Sequence, residues 1–238
     1  MKKPLLWIIL ILSMGLVFGF YRIFRTIFAQ NKRTEKVFSF LRNPERHQDW
    51  VSPALTRCGD APFILPSTGM IGFIWGDSFR PGHQHQGIDI FSGANVGETP
   101  VYAVYDGYLT RLPEWKSTVI IRIPVDPIRP GRQIWTYYTH MADPSGRSLI
   151  SDMFPPGTTE KYVSAGSLLG LQGNYSGTPD NPTGVHLHFS IVRDDGQGMF
   201  LNELDKRNTI DPSPYFNLPL NITENPDQVP ICDQTDTN

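Results

Sequence analysis

The sequence predicts a mainly β fold, a compact antiparallel β-sheet or sandwich domain, and three observations carry that prediction. Glycine and proline number 21 each among 238 residues, which favours turns and short strands over long helices. From Phe63 onward, short runs of β-branched and aromatic residues recur between Gly, Pro and Asp. With 39% hydrophobic and 12% aromatic residues, the chain can also fill the core that such strands need.

The runs follow in order. "GFIWG" gives a first strand and "GIDIFS" a second. "VYAVYDGYLTRL" gives a third and a fourth, hinged at Asp106-Gly107, because Asp-Gly between apolar alternations is a hairpin signal. "STVIIRIPV" and "QIWTYYTHM" read as a pair joined by the proline-rich "DPIRPGR". An irregular insertion from Ala142 to Lys161 comes next, and a loop of that length in a small domain is expected to wall a functional groove. "YVSAGSLLGLQG" reads as two short strands about Ala165-Gly166, and "VHLHFSIV" closes the sheet.

Ahead of this domain, Pro4 to Tyr21 carries no charge and as a helix would span about 27 Å, close to the hydrocarbon thickness of a bilayer. Residues 1–28 are therefore expected to be a transmembrane anchor, or a signal segment if cleaved near Ala29. Residues 29–60 read as a linker with a short helix at "EKVFSFLRN", residues 61–212 as the folded domain and residues 213–238 as a polar C-terminal tail.

A net charge of −2 gives no basic surplus, which argues against nucleic acid as a partner. Arg22, Arg25, Lys32, Arg33 and Lys36 after the apolar run would, by the positive-inside rule alone, leave the domain in the cytoplasm. Cys58 and Cys232 bracket the domain, and an exported chain could join them in a disulfide. Export is the reading adopted.

The chemistry concentrates in the histidines, all but one of which fall between His83 and His188. His85 precedes Asp89 by four residues, so an imidazole and a carboxylate can reach one point as zinc ligands. In "VHLHFS", His186, His188 and Ser190 share one strand face while Val185, Leu187 and Phe189 share the other. With Cα atoms about 6.6 Å apart on that face, one imidazole can bind a metal and the other can reach a water beside it. Spacing does not say which does which. "YYTHM" adds His140, with Tyr138 on its face and Tyr137, Thr139 and Met141 on the other. No Glu stands beside these histidines in sequence, so two imidazoles would have to handle the proton between them. His47 and His83 read as ordinary surface or core histidines.

The motifs "HQGID", "VYAVYDGYLTRL", "YYTHM", "VSAGSLLGLQGN" and "TGVHLHFSI", in this order from about Pro66 to Val192, resemble the lysostaphin-type (LytM-like) zinc metallopeptidases. The resemblance implies a β domain with a narrow groove, one catalytic zinc and peptide bonds of bacterial peptidoglycan as substrate. Carried over position by position, it implies His85, Asp89 and His188 as metal ligands and His140 and His186 as catalytic residues. It places the domain on the extracytoplasmic face of the cell membrane. The rival it also raises is a non-catalytic relative that binds the wall or activates a separate amidase; bound zinc would separate the two.

Overall fold

In the computed structural model the described residues are 13–19, 21, 32–78 and 83–232. Eleven strands are named by their order: β1 (Val51–Ser52), β2 (Gly69–Ile71), β3 (Ile88–Phe91), β4 (Pro100–Tyr102), β5 (Gly107–Thr110), β6 (Val119–Ile123), β7 (Ile134–Thr139), β8 (Lys161–Val163), β9 (Leu168–Leu171), β10 (Leu187–Arg193) and β11 (Thr209–Ile210). One antiparallel sheet runs β1-β2-β3-β10-β7-β6-β5-β8, with β11 added to β10, and β4 and β9 form a second sheet of two strands. The mainly β antiparallel prediction holds.

The "HLHFS" strand does not close the sheet. β10 lies at its centre, paired on one side with β3 and on the other with β7, and it is the longest strand. Its Leu187, Phe189 and Ile191 enter the main core with Ile88 and Ile90 of β3 and Tyr138 of β7. Two-residue periodicity then sends His188 and Ser190, Asp89 and Phe91, and Tyr137 and Thr139 to the opposite face.

The Asp106-Gly107 hairpin does not form. β4 leaves for the second sheet to pair with β9, while β5 pairs with β6 and β8. Asp106 serves instead as an acceptor, its carboxylate receiving the Ala165 N–H at 2.8 Å and holding the 164–167 turn. The two runs about Ala165-Gly166 likewise join different sheets rather than each other. "GFIWG" (residues 72–76) is not a strand: β2 ends just before it at Ile71, and within it only Trp75 makes an isolated bridge, to Asn221.

Three further stretches differ from expectation. From residue 32 the linker is packed: residues 32–42 form a helix, α1, whose Val37 and Phe40 are buried against Met70 and Phe91. The tail is packed as well, with a short helix α2 (Ser213–Phe216) and buried Leu218 and Leu220, and Cys232 is disulfide-bonded to Cys58. Apolar residues spaced irregularly among Pro, Asn and Asp lack a periodic signature but still bury surface. The Ala142–Lys161 insertion does not wall the groove. It sends Ile150 and Phe154 into the main core, where Arg111 Nη1 donates to the Phe154 carbonyl at 2.8 Å.

Most of the proposed anchor, residues 1–28, lies outside the described residues. Among the described residues no helix is long and apolar enough to cross a membrane.

Candidate metal centre and groove

Register creates the site. His188 of β10 is the Cα partner of Asp89 of β3 on one side and of Thr139 of β7 on the other. Side chains opposite each other in adjacent antiparallel strands stand ~4.5–5.5 Å apart at Cβ, so a carboxylate and an imidazole meet across the seam. His188 Nδ1 is 2.8 Å from Asp89 Oδ1.

His85 arrives from the loop before β3. Its N–H donates to the Asp77 carbonyl at 2.7 Å and its carbonyl accepts from Gly76 N at 2.8 Å, which fixes the loop. The chain then passes over β10 at Gly87, where a Cβ would lie 1.9 Å from the Phe189 carbonyl oxygen. Only glycine permits that approach. His85 Nε2 ends 3.0 Å from Asp89 Oδ1 and 3.0 Å from His188 Nδ1.

The three donor atoms lie within 4.8 Å of one another, and all three side chains are buried. Hydrogen bonds set which nitrogens face inward. His85 Nδ1 faces the Ile74 carbonyl at 3.2 Å, and a carbonyl can only accept, so Nδ1 carries the proton and Nε2 turns its lone pair to the cluster. His188 Nε2 faces Glu203 Oε1 at 2.9 Å, which leaves Nδ1 toward Asp89. Two imidazole nitrogens and one carboxylate oxygen converging on one point fit a divalent cation. Two His and one acidic ligand with room for a fourth group form a donor set suited to catalytic zinc.

Glu203 is the residue that sequence reasoning missed: no Glu neighbours the histidines in sequence, but this one reaches His188 in space. It lies fifteen positions after His188 in an irregular loop, with no motif around it. A carboxylate on the outer nitrogen of a ligating histidine fixes its ring and raises its basicity. Burial alone would lower the His188 pKa, but Glu203 and Asp89 outweigh it and raise it to about 10. Burial would raise the Asp89 pKa, yet His85, His186 and His188 hold it well below the ordinary carboxylate range.

The other two histidines sit together beside this centre. His140 and His186 have ring centroids 4.5 Å apart. His186 Nδ1 donates to the Gly184 carbonyl at 2.7 Å and its Nε2 lies 3.7 Å from Asp89 Oδ1. Its ring stacks on Phe91, centroids 4.9 Å apart and planes 25° off parallel. His140 Nδ1 donates to the Tyr175 carbonyl at 2.6 Å. Both therefore keep Nε2 free of backbone bonds. Burial first, and for His140 the neighbouring His186 second, lower both pKa values, that of His140 to about 3.

His140 is not on the face that alternation assigned to it. Tyr138 is buried in the main core, whereas His140 lines the groove with Tyr137 and Thr139. β7 stops at Thr139, and His140 takes a φ of +73°, which breaks the two-residue period and turns its ring to the other side. A non-glycine residue in that region carries strain, and such strain gathers at functional sites. Gly173 packs behind this kink, where a Cβ would lie 2.5 Å from the His140 carbonyl oxygen.

All five predicted residues thus border one groove of about 1010 Å³. Tyr175 and Ser176 of the "NYSGTPDNPTG" loop line it; no residue of 142–161 does. His83 also lines it, 6.5 Å from the His85 ring by centroids, while His47 stacks on Trp50 away from the site.

No family model and no curated protein matches the chain. Among solved structures it is similar to the catalytic domain of the antimicrobial peptidase lysostaphin from Staphylococcus simulans. That match has 22% identity and a TM-score of 0.40, over 61% of this chain and 90% of that one. Whole lysostaphin matches at 18% identity and a TM-score of 0.40, over 70% of this chain and 54% of that one. A mutant catalytic domain of the prophage-encoded protein EnpA from Enterococcus faecalis matches at 21% identity and a TM-score of 0.36, over 63% of this chain and 95% of that one.

Proposed function

We propose that the protein is a zinc-dependent metalloendopeptidase of the lysostaphin type that hydrolyses peptide bonds in bacterial cell-wall peptidoglycan. The observation that carries this reading is the meeting of the His85, Asp89 and His188 donor atoms beside the paired rings of His140 and His186.

His85, Asp89 and His188 would hold the metal. Zinc, when bound, supplies Lewis-acid chemistry that activates water and polarises a carbonyl. The chain's own groups do the rest. His140 and His186, each anchored through Nδ1 to a backbone carbonyl, present Nε2 to the reacting atoms. With their pKa values lowered by burial, both are neutral near pH 7 and either Nε2 can accept the proton of the attacking water. That proton passes to the amine as the C–N bond breaks, leaving a free carboxylate and a free amine. Glu203 holds the His188 ring in place, and Phe91 holds that of His186.

We place the domain on the outer side of the cytoplasmic membrane, tethered by the apolar run from Pro4 to Tyr21 or released by its cleavage. The Cys58–Cys232 disulfide, which belongs to oxidising compartments, supports that placement.

The test is to incubate the zinc-loaded protein with peptidoglycans of different bridge types and with glycyl peptides, and to identify fragments by mass spectrometry. New peptide termini that vanish with a chelator are expected. Absence of cleavage in every wall type and in the glycyl peptides would overturn the proposal.

A further inference from the structure

α1 precedes the stretch that carries the metallopeptidase motifs, yet it forms part of the groove. Its residues divide by helical spacing into two stripes. Arg33, Val37 and Phe40 are buried and dock the helix, and Thr34, Phe38 and Leu41 line the groove that holds His85, Asp89 and His188. Phe38 is 52% exposed there, with Phe73 and Phe91 along the same side. The same groove is also lined by the polar Glu114, Lys116 and Ser117.

The wall is fixed rather than loosely laid. Arg33 Nε is 3.1 Å from Asp77 Oδ2, and its Nη atoms donate to the carbonyls of Gly72, Asn225 and Gln228 at 3.3, 2.8 and 3.0 Å. Val37 and Phe40 pack on Phe91, the residue that stacks on His186. A Cβ at Gly184, whose carbonyl holds His186, would lie 3.8 Å from Leu41. An apolar surface held beside the reacting groups in this way is continuous with the site, so its occupant is the substrate itself.

We infer that Phe38 and Leu41 are specificity-determining residues that select a peptide carrying an apolar side chain beside the scissile bond over one carrying only glycine. This rests on the peptidase reading and goes beyond it in naming the substrate class. Glycine leaves the α1 wall facing water. A methyl group laid on it gains about 0.8 kcal/mol, a factor of about four, and a leucine side chain gains more.

The test mixes pentaglycine with versions in which one glycine is replaced by alanine or leucine, and presents them to the zinc-loaded full chain. Relative kcat/KM is read by mass spectrometry. The alanine peptide should be preferred about fourfold at one position beside the cut, and the leucine peptide by more. Phe38→Ala should bring both ratios close to one, Phe38→Leu should restore part of them, and Glu35→Gln, at an exposed position of the same helix, should keep the wild-type ratios. A glycine preference, or ratios untouched in Phe38→Ala, overturns the inference while leaving the peptidase intact. If no peptide is cut, cleavage of whole peptidoglycans decides the peptidase reading separately, and affinity of the chelator-treated protein for the same peptides decides the wall. Tighter, Phe38-dependent binding of the leucine peptide sustains it, and equal binding ends it.

Discussion

Glu203 Oε1 accepts a hydrogen bond from His188 Nε2 at 2.9 Å, with both side chains buried. The bond fixes the ring plane of His188 and turns its Nδ1 toward Asp89 and His85, so Glu203 would act on a metal held there without touching it. Burial would raise the Glu203 pKa, but His188 outweighs it and keeps the carboxyl ionised near neutral pH. Glu203→Ala should lower zinc affinity by roughly 10- to 100-fold, the usual cost of losing such a partner. Glu203→Gln keeps an acceptor oxygen and should lose less. Competition with a chromophoric chelator reads both, and an unchanged affinity in Glu203→Ala would show that His188 is held by other contacts.

The same pair ties metal binding to a proton. With Asp89 and Glu203 on its two nitrogens, His188 has its pKa raised to about 10 despite burial, so near pH 7 the chelator-treated protein carries a proton where the metal would sit. Zinc must displace it, and titration calorimetry in buffers of different ionisation enthalpy should count about one proton released at pH 7. The sign for stability follows. A histidine whose folded pKa is raised stabilises the fold fully below its unfolded value of about 6.5 and loses that contribution as pH rises through about 10. The chelator-treated protein should therefore melt at progressively lower temperature from pH 7 to pH 10. A flat profile over that window, with no proton release, would refute the assignment.

We assign His140 and His186 to proton handling rather than to the metal because neither joins the His85, Asp89 and His188 donor atoms that meet within 4.8 Å of one another. Changing either to alanine should lower kcat by roughly 10²- to 10⁴-fold, with zinc affinity within a few-fold of wild type. Near wild-type turnover in either variant would remove that residue from the mechanism.

The parts of the site legible in the sequence are those that a strand's two-residue period or a short motif encodes. "HLH" declares its own faces, and Asp89 follows His85 by a spacing that one turn into β3 can satisfy. What alternation could not encode was the kink at His140: a positive φ is a tertiary compromise, and it moved the ring from the Tyr138 side to the groove. Glu203 was invisible for a similar reason, since it reaches His188 from a loop through a contact between residues with no pattern linking them. The hairpin expected at Asp106-Gly107 failed because strand pairing is decided by the competing partners β8 and β9, which a local turn signal does not see. α1 was foreseen as a helix, but its docked face depends on Met70 and Phe91 far along the chain.

Arg33 and Asp77 test how firmly α1 belongs to the domain. Both are buried, and burial, the largest influence on each, lowers the Arg33 pKa and raises that of Asp77 despite their attraction. The pair therefore does not stabilise by charge alone. Its value lies in the three carbonyls of Gly72, Asn225 and Gln228, which Arg33 satisfies from inside the protein. Arg33→Leu strands those acceptors together with the buried Asp77 carboxylate, and should cost roughly 3–5 kcal/mol. Asp77→Asn leaves the guanidinium its three carbonyls, and the Ser78 N–H its acceptor oxygen at 2.7 Å, so it should cost less. Urea unfolding of the full chain measures the difference. If the two substitutions cost the same, the carbonyl bonds contribute nothing beyond the ion pair, and α1 is held by Val37 and Phe40 alone.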